Sequence, residues 1–263
     1  MVVDTTVEEA MNLLFPDSSP GEAMFNMALQ PLVTTLDLAD IETVGHTCNV
    51  AMMAVYTVEE MFPHFSDERK DAVRIGAFFH DYGKIFQPDI YKGSRKIGPD
   101  ERHLFHNHVI YGREVFEGFR SHWSIHGVGD IDPRIPYVIE MIANHHQRPD
   151  GGGYPAWSIG KSGIYLRYES ESEAGTSDKR RALKGDEIVP EALVIKLCDT
   201  YDALRRHRGY KPAFPHNKSV EMMYYDKRDG VSGEQNFGKD LFEFFLKNHR
   251  EFKRIYDSNP SDL

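Results

Sequence analysis

The sequence contains little cysteine and no long apolar stretch. Its two cysteines, Cys48 and Cys198, provide neither a disulfide framework nor a CxxC zinc motif, so we expect each to be a small buried residue. No run reaches the roughly 18 apolar residues that a membrane-spanning helix needs. The first nine residues include Asp4, Glu8 and Glu9 and lack a basic segment followed by an apolar one. We therefore expect a cytoplasmic protein without a secretion signal.

Signatures of nucleophilic catalysis and of nucleotide-binding loops are also missing. The chain has no Gly-x-Ser-x-Gly elbow, no P-loop and no glycine fingerprint after a strand. Its net charge of −10 disfavours binding to the phosphate backbone of DNA or RNA. That charge still allows a small phosphorylated substrate, because metal ions and a few cationic side chains can reverse the potential inside a pocket.

What the sequence does contain is helical periodicity over most of its length. Its hydrophobic content of 40% is typical of a globular protein, and apolar residues recur at helical spacing. We predict an all-α fold, with a short strand or hairpin arm at residues 163–168 as the exception. The predicted helices cover residues 7–15, 21–36, 41–61, 66–80, 100–119, 133–146, 187–206, 219–226 and 239–256.

Two stretches interrupt this helical pattern. Residues 147–155 contain three glycines and two prolines and require a turn or an irregular loop. Residues 156–182 form a long loop, for which a solvated surface excursion is the simpler interpretation and a lid over the pocket is the alternative. We predict that residues 1–40 are a helical extension packed on a main domain of residues 41–263.

Histidines and carboxylates occur in an order that is typical of a metal site. Glu42 and His46 are four residues apart and share one helix face, although for this pair taken alone an exposed Glu–His pair is the better explanation. His80 and Asp81 close an apolar helix end, where burial is costly unless a metal or a salt bridge satisfies both side chains. In the metal interpretation Asp81 bridges two ions, His80 binds one of them, and Lys84 adds a cation beside the site.

Further candidate ligands follow along the chain. His108 lies in a predicted helix with His103 and His106, of which at most one or two can be ligands. His145 and His146 end another apolar helix. Because consecutive residues on a helix diverge by about 100°, we expect this pair to bind two different metals of one cluster.

The last candidates lie in and just after the helix at residues 187–206. Asp199 follows an apolar segment and is a plausible final carboxylate ligand, and Asp202 shares its helix face. Arg208, Tyr210 and Lys211 could hold a phosphate diester, with Arg208 able to form paired hydrogen bonds. A plain basic helix C-terminus would explain these three residues equally well.

The ordered set of motifs resembles the HD-GYP family, a branch of the HD-domain metal-dependent phosphohydrolases. The resemblance extends from Glu42 to Lys211 and rests on HDYGK (80–84), HVIYG (108–112), HHQRPDGGGYP (145–155), LKGDEIVPEALVIKLCDTYDAL (183–204) and RGYK (208–211). It implies an HD-domain helical bundle that hydrolyses the bacterial second messenger cyclic di-GMP to the linear dinucleotide pGpG, to GMP, or to both.

The same resemblance implies roles for individual residues. Glu42 matches an extra carboxylate of members that bind three metals rather than two. Asp81 and Lys84 would be catalytic, and Lys84, Arg208 and Lys211 would contact the substrate, with Asp202 as a further polar contact. The Gly153, Tyr154 and Pro155 loop would be a contact surface for a diguanylate cyclase-type partner. The implied metal ligands are Glu42, His46, His80, Asp81, His108, His145, His146 and Asp199.

The sequence departs from the family pattern at three places. The family usually has Glu after the paired histidines, where this chain has Gln147, and it usually has proline at the position of Val109. The segment that follows Pro155 is normally short, so residues 156–182 resemble an insertion. None of these changes removes an implied ligand.

The mechanism that we expect is metal-assisted hydrolysis, in which a hydroxide that bridges two ions attacks phosphorus while Lys84 and Arg208 neutralise the growing charge. Mixed histidine and carboxylate ligation fits iron or manganese as well as zinc, cobalt or nickel, and ligand type does not choose among them. The resemblance implies two or three ions, for which we expect iron or manganese. Two other functions stay open. One is an HD phosphohydrolase for another cyclic dinucleotide or nucleotide, and the other is a non-catalytic receptor for cyclic di-GMP.

Overall fold

The structure is a computed structural model, and it describes residues 12, 20–39, 44–91, 98, 101–126, 132–160, 163–165, 179–207, 212–227 and 229–258. Almost all of the predicted helix at residues 7–15 lies outside this part of the chain. In the described residues the α-helices are α1 (Pro20–Ala39), α2 (Val44–Met61), α3 (Asp67–Phe79), α4 (Pro88–Tyr91), α5 (Arg102–His106), α6 (His108–His126), α7 (Ile135–Asn144), α8 (Pro190–Arg205), α9 (His216–Tyr224), α10 (Gly233–Phe237) and α11 (Lys239–Ser258). In the same part of the chain, 3₁₀ helices cover Tyr82–Phe86 and Gly185–Glu187.

Local sequence signals explain where α3 begins. Ser66 is its N-cap, and the Ser66 hydroxyl accepts a hydrogen bond from the backbone N–H of Arg69 at 3.3 Å. Asp67 and Glu68 follow in the first turn, where their negative charge complements the helix dipole. The second half of the helix is apolar and buried, and it delivers His80 and Asp81 to the interior at its end.

The core forms where α2, α3, α7 and α8 pack together. Helix α2 packs against α3 and α8, and α7 packs against α3, α6 and α8. Fully buried residues of this core include Met53, Phe78, Phe79, Ile142 and Leu197. Each large apolar side chain buried in this way contributes about 1.5–3 kcal/mol. The prediction of an all-α bundle is confirmed, and the packed helices hold the polar ends of α3 and α7 together.

The N-terminal extension contacts this same core. Leu29, Val33 and Leu36 of α1 are buried in the main apolar cluster. The domain boundary near residue 40 stays a prediction. Both cysteines, Cys48 and Cys198, are buried, as predicted.

The inserted segment begins and ends in a small antiparallel sheet. Strand β1 (Trp157–Gly160) pairs with β2 (Gly163–Tyr165) on one side and with β3 (Lys179–Arg181) on the other. The indole N–H of Trp157 donates to Oδ1 of Asn144 at 2.9 Å, and its fully buried ring lies in a second apolar cluster with Val109 and Ala143. The base of the insertion is therefore packed against the elements that carry His108 and His145. A lid role for residues 156–182 stays a prediction.

A second hairpin was not predicted from the sequence. Strands β4 (Tyr225–Asp226) and β5 (Val231–Ser232) form a two-stranded antiparallel pair between α9 and α10.

Among the described helices, none is both long and apolar enough to cross a membrane.

Candidate metal centre

Seven predicted ligands converge on one buried point in two groups of four. The first group is His46, His80, Asp81 and Asp199, and the second is Asp81, His108, His145 and His146. Within each group the ligand atoms all lie within 4.8 Å of one another. Asp81 belongs to both groups, so the arrangement has the form of a two-metal site with one shared carboxylate. The eighth predicted ligand, Glu42, lies outside the described residues.

The two oxygens of Asp81 face opposite groups. Oδ2 lies 3.2 Å from Nε2 of His80 and 4.0 Å from Nε2 of His46. Oδ1 lies 3.1 Å from Nε2 of His108 and 3.7 Å from Nε2 of His145. Asp199 completes the first group, with Oδ1 at 3.6 Å from Nε2 of His46. A carboxylate placed in this way could contribute to both groups, and its role as a bridge between two cations stays a prediction.

Each helix contributes ligands at an end or on one inward face. His46 is in the first turn of α2, His80 and Asp81 follow α3, and His108 opens α6. The α3 end can approach α6 because residue 83 is glycine. A Cβ at Gly83 would lie 1.9 Å from the backbone oxygen of His108, which is far inside van der Waals contact. The close approach of these two backbones sets the spacing between the two groups.

Four imidazoles are oriented by a hydrogen bond at Nδ1. In His80, His108 and His145, Nδ1 donates to the backbone oxygen three residues earlier, at 2.7, 2.8 and 2.9 Å. In His46, Nδ1 donates to Oδ2 of Asp202 at 2.7 Å. These bonds fix the tautomer and direct Nε2 inward, which is how metal-ligating histidines are held.

The polar atoms that face the centre fit a divalent cation. Among the described residues, Nε2 of His80, His108 and His145 and Oδ1 of Asp81 make no hydrogen bond, although all four atoms are buried. Leaving buried polar atoms unsatisfied is costly. Bound cations would satisfy all four, and imidazole with carboxylate is a donor set suited to transition metals.

The electrostatics differ between the two groups. Burial acts to lower the pKa of His80, but the Asp81 carboxylate outweighs it and raises that pKa to about 9. Burial lowers the pKa of His145 to about 4, and burial together with His145 holds the pKa of His146 well below its usual range. His145 and His146 are therefore neutral at pH 7, which is the ligand form. With a pKa of about 9, the imidazole of His80 is protonated at pH 7, so a cation that binds its Nε2 has to displace that proton.

Lys84 lies directly at the centre. Its side chain is buried, and its ammonium donates a hydrogen bond to Oδ2 of Asp81. Burial acts to raise the pKa of Asp81, but Lys84 and His80 outweigh it and hold that pKa well below its usual range. The other predicted phosphate contacts, Arg208 and Lys211, and the neighbouring Tyr210, lie outside the described residues.

Asp202 occupies a different position from the one that the resemblance implied. It is fully buried behind His46, where Oδ2 accepts the bond from Nδ1 of His46 and Oδ1 accepts a bond from Nδ2 of Asn49 at 3.0 Å. Arg206 lies 3.4 Å from the same carboxylate. The structure thus places Asp202 as the support of the His46 imidazole, and both its oxygens are engaged by protein groups.

The expectation that His145 and His146 bind different metals is wrong for this geometry. Both belong to the group that contains His108, and their ring centroids are 4.0 Å apart. The expectation assumed helical spacing, but α7 ends at Asn144 and the pair lies at the C-cap and in the following turn. The 100° rule does not apply beyond the helix end.

Several supporting residues were missed. Asn49 lies one turn after His46 on the same face, so helical spacing could have indicated it. The hydroxyl of Tyr91 lies 3.0 Å from Nδ1 of His108 and donates to the backbone oxygen of Phe105 at 2.6 Å. No sequence pattern links Tyr91 to His108, because a segment outside any predicted helix separates them.

The loop at residues 153–155 faces the centre. The ring of Tyr154 stacks on that of His146, with centroids 4.5 Å apart, and Pro155 is buried. A Cβ at Gly153 would lie 2.5 Å from the backbone oxygen of His146. The use of this loop as a docking surface for a diguanylate cyclase-type protein stays a prediction.

Comparison with known proteins identifies similar chains. A family model for the HD domain matches residues 43–204, which is more than half of the chain. The sequence is 26% identical over 218 residues to a cyclic di-GMP phosphodiesterase from Thermotoga maritima, covering 82% of this chain and 47% of that protein. It is 24% identical over 243 residues to 3'3'-cGAMP-specific phosphodiesterase 2 from Vibrio cholerae serotype O1, covering 91% of this chain and 37% of that protein.

A solved structure has a similar fold. The HDG"Y"P protein from Bdellovibrio bacteriovorus matches with a TM-score of 0.50 and 15% identity, over 91% of this chain and 62% of that chain. At this identity the similarity concerns the fold alone. The chain spans less than half of the length of the two relatives from Thermotoga and Vibrio.

Proposed function

The chain belongs to the HD-domain family, and from that premise we propose that it is a metal-dependent phosphodiesterase that hydrolyses cyclic di-GMP. The observation that carries the proposal is the position of Asp81, whose two oxygens face two separate sets of inward-directed histidines. A carboxylate shared in this way would suit the pair of divalent cations that two-metal phosphoester hydrolysis uses.

The proposed roles follow from the geometry. When bound, two divalent cations would supply Lewis-acid activation of water and of a phosphoryl oxygen. His46, His80 and Asp199 would hold one ion and His108, His145 and His146 would hold the other, and Asp81 would contribute to both. Lys84 keeps an ammonium at the same point, where it neutralises negative charge that develops on the phosphate. Because the chain carries a net charge of −10, such local cations are needed to attract an anionic diester.

The residues outside the described part of the chain complete the proposal. Arg208 and Lys211 bind the phosphates of the substrate, since an arginine fork and a lysine point charge both suit phosphate oxygens. Glu42 would supply a carboxylate to hold a third ion, and a chain that holds three ions would also carry out the second cleavage, which converts pGpG to GMP. Iron or manganese is the preferred metal.

Cyclic di-GMP is the first choice of substrate, and a cyclic GMP–AMP dinucleotide is the second. Both choices rest on relatives, one named for each substrate, that match most of this chain at nearly equal identity. Both dinucleotides contain the 3′–5′ phosphodiester bond, so the proposed chemistry is the same for each. The base contacts decide between them.

The test is substrate turnover by the full chain, purified anaerobically with its metals quantified. Cyclic di-GMP, 3'3'-cGAMP and cyclic di-AMP are each incubated with the protein, and linear dinucleotides and mononucleotides are separated by chromatography. We expect cyclic di-GMP to be consumed fastest. We expect Asp81→Asn to abolish turnover. The control is Asp71→Asn, which should retain turnover, because Asp71 is a partly exposed carboxylate that pairs with Arg74 in the same helix.

Other outcomes of this experiment contradict the proposal in distinct ways. Turnover of 3'3'-cGAMP without turnover of cyclic di-GMP would replace the substrate. Tight binding of cyclic di-GMP by metal-replete protein with no product would favour a receptor. A Glu42→Ala variant tests the third ion, because we expect it to lose metal content and to accumulate pGpG at the expense of GMP.

A further inference from the structure

Three aromatic rings from separate parts of the chain form one stacked column. The ring of Tyr154 lies between those of His106 and His146. The His106 and Tyr154 centroids are 3.8 Å apart with an interplanar angle of 11°, and the Tyr154 and His146 centroids are 4.5 Å apart at 24°. We refer to His106, Tyr154 and His146 as the ring column. His106 has no role in the proposed function, so its place in this column needs an explanation.

One end of the ring column is a metal-ligand candidate. His146 belongs to the group with Asp81, His108 and His145. The Tyr154 ring also presents its edge to His108, with centroids 6.3 Å apart at 79°. Tyr154 therefore contacts two of the three imidazoles in that group. It makes no such ring contact, within the described part of the chain, with His46 or His80 of the other group.

His146 also differs from the other candidate histidines in how its ring is held. His46, His80, His108 and His145 each donate from Nδ1 to an oxygen of the protein. For His146, the described residues provide no hydrogen bond to either ring nitrogen. A ligand imidazole without such a bond is free to rotate about its side-chain torsions unless packing holds it. The ring column supplies that packing.

The backbone of the loop is built to bring Tyr154 to this position. The N–H of Tyr154 donates to the backbone oxygen of His146 at 3.3 Å, so the loop closes on the residue that it supports. Gly153 permits this contact, because a Cβ there would lie 2.5 Å from that same oxygen. Gln147 then fixes the far side, since its Nε2 donates to the backbone oxygen of Pro155 at 2.7 Å.

We propose that His106 and Tyr154 are positioning residues that orient His146 by ring stacking, in place of the hydrogen bond that orients the other ligand histidines. The inference rests on the proposed function to the extent that the centre binds metal. It assigns the tyrosine of the residue 153–155 loop an internal role at one metal position, the one formed with His108 and His145. The ion held by His46, His80 and Asp199 does not depend on it.

The test compares variants that remove a ring with variants that keep one. The full chain is stripped of metal and titrated with Mn²⁺ in competition with a chelator, and bound metal is counted after desalting. We expect Tyr154→Leu and His106→Leu to weaken one of the Mn²⁺ affinities by about 10- to 100-fold, the usual effect of losing an outer support. Tyr154→Phe and His106→Phe keep a stacking ring and should bind both ions as the wild type does.

Controls separate this effect from a general loss of structure. His64→Leu and Tyr225→Leu make the same chemical changes at exposed positions, and we expect both to leave Mn²⁺ binding unchanged. The melting temperature of each metal-free variant reports folding independently of activity. If Tyr154→Leu does not fold, His106→Leu decides, because His106 is only half-buried at the end of a short helix.

Two results would overturn the inference. One is retention of both Mn²⁺ affinities in folded Tyr154→Leu and His106→Leu, and the other is an equal loss in the phenylalanine variants. If the wild type binds two ions and hydrolyses its substrate, either result rejects only the positioning role of the ring column, and the proposed function stands. A wild type that binds no Mn²⁺ rejects the inference and the proposed function together.

Discussion

The imidazole of His46 is anchored by Asp202, whose Oδ2 accepts the hydrogen bond from Nδ1 at 2.7 Å. Both side chains are fully buried. Burial acts to raise the pKa of Asp202, but Arg206 and His46 outweigh it and lower that pKa, so the carboxylate is ionised at neutral pH. The bond keeps the proton of His46 on Nδ1 and leaves Nε2 directed at Asp199 and Asp81. Asp202 thus acts on the centre through His46.

This relationship predicts that Asp202→Asn weakens metal binding rather than substrate binding. The amide cannot accept from Nδ1 as strongly as a carboxylate and does not stabilise the same tautomer. We expect Mn²⁺ affinity to fall by about 10- to 100-fold, with little change in KM once metal is saturating. The measurement is Mn²⁺ titration of metal-free protein followed by steady-state kinetics. Asp186→Asn, at an exposed position, is the control, and an unchanged affinity with a raised KM would instead make Asp202 a substrate contact.

Gly83 gives a second prediction, about the packing of the 3₁₀ helix Tyr82–Phe86 against α6. In Gly83→Ala the new Cβ would meet the backbone oxygen of His108 at 1.9 Å and the backbone nitrogen of Gly112 at 2.6 Å. Neither backbone atom can move without shifting α6, so we expect the free energy of unfolding to fall by at least about 1–3 kcal/mol. Denaturant unfolding of the metal-free protein measures it.

The matched control lies in α6 itself. Gly118 is exposed, and a Cβ there would meet nothing within 4 Å. Gly118→Ala should therefore raise stability by about 0.5–1 kcal/mol, because alanine loses less backbone entropy than glycine on helix formation. Equal effects of the two substitutions would show that the close approach at Gly83 carries no energetic weight.

The sequence predicted the helices well where local signals and tertiary packing agree. Helix α3 was expected at residues 66–80 and spans Asp67–Phe79, because a Ser66 cap and a buried apolar half define both of its ends. The prediction for residues 100–119 missed the break at Asn107, where one helix ends and another begins with His108. Nothing in the local pattern marks that break.

The same distinction between local sequence signals and tertiary packing applies to the candidate site. Candidate ligands could be predicted one by one. Burial of His80 and Asp81 at the end of an apolar helix is costly without a partner, and the full set is what the resemblance to the HD-GYP family implies. Their grouping depends on tertiary geometry. His145 and His146 share a group because α7 stops at Asn144, and His106 meets Tyr154 through a contact between segments that are far apart in sequence. Periodicity carries no information about either contact.

Gln147, where the family usually has Glu, supports a pH-dependent prediction. Its Nε2 donates to the backbone oxygen of Pro155 at 2.7 Å, and its Oε1 accepts from the backbone N–H of Leu183 at 2.9 Å, with the side chain fully buried. An ionised Glu at this position can accept from Leu183 but cannot donate to Pro155. We expect Gln147→Glu to lower the free energy of unfolding by about 1–3 kcal/mol at pH 8.

The sign of the pH dependence follows from burial. Desolvation raises the pKa of a buried Glu above its unfolded value of about 4.3, so the protonated acid, which can donate to Pro155, persists to higher pH in the folded state. The variant is then closest to the wild type below that unfolded value and loses stability as the pH rises through the folded pKa. Unfolding at pH 5 and pH 8 measures this. A Gln147→Met variant should show a constant deficit, and a constant deficit in Gln147→Glu would contradict the prediction.

Counting bound ions in variants tests whether Asp81 joins two metal positions. Asp199 and His145 each belong to one group of four, whereas Asp81 belongs to both. We therefore expect Asp199→Ala and His145→Ala each to lose one ion relative to the wild type and Asp81→Ala to lose two. Metal content is measured after equilibration with Mn²⁺ and desalting, with Asp71→Ala as a carboxylate control in α3.

The same variants should separate in thermal stability, because ions that bind only the folded state stabilise it by mass action. A free Mn²⁺ concentration 100-fold above Kd stabilises a site by about 2.7 kcal/mol, which corresponds to roughly 5–10 °C for a chain of this size. We expect this metal-dependent rise in Tm to be largest in the wild type, smaller in Asp199→Ala and His145→Ala, and absent in Asp81→Ala. If Asp81→Ala instead loses one ion and keeps half of the rise, its two oxygens serve a single metal and the shared-carboxylate arrangement is wrong.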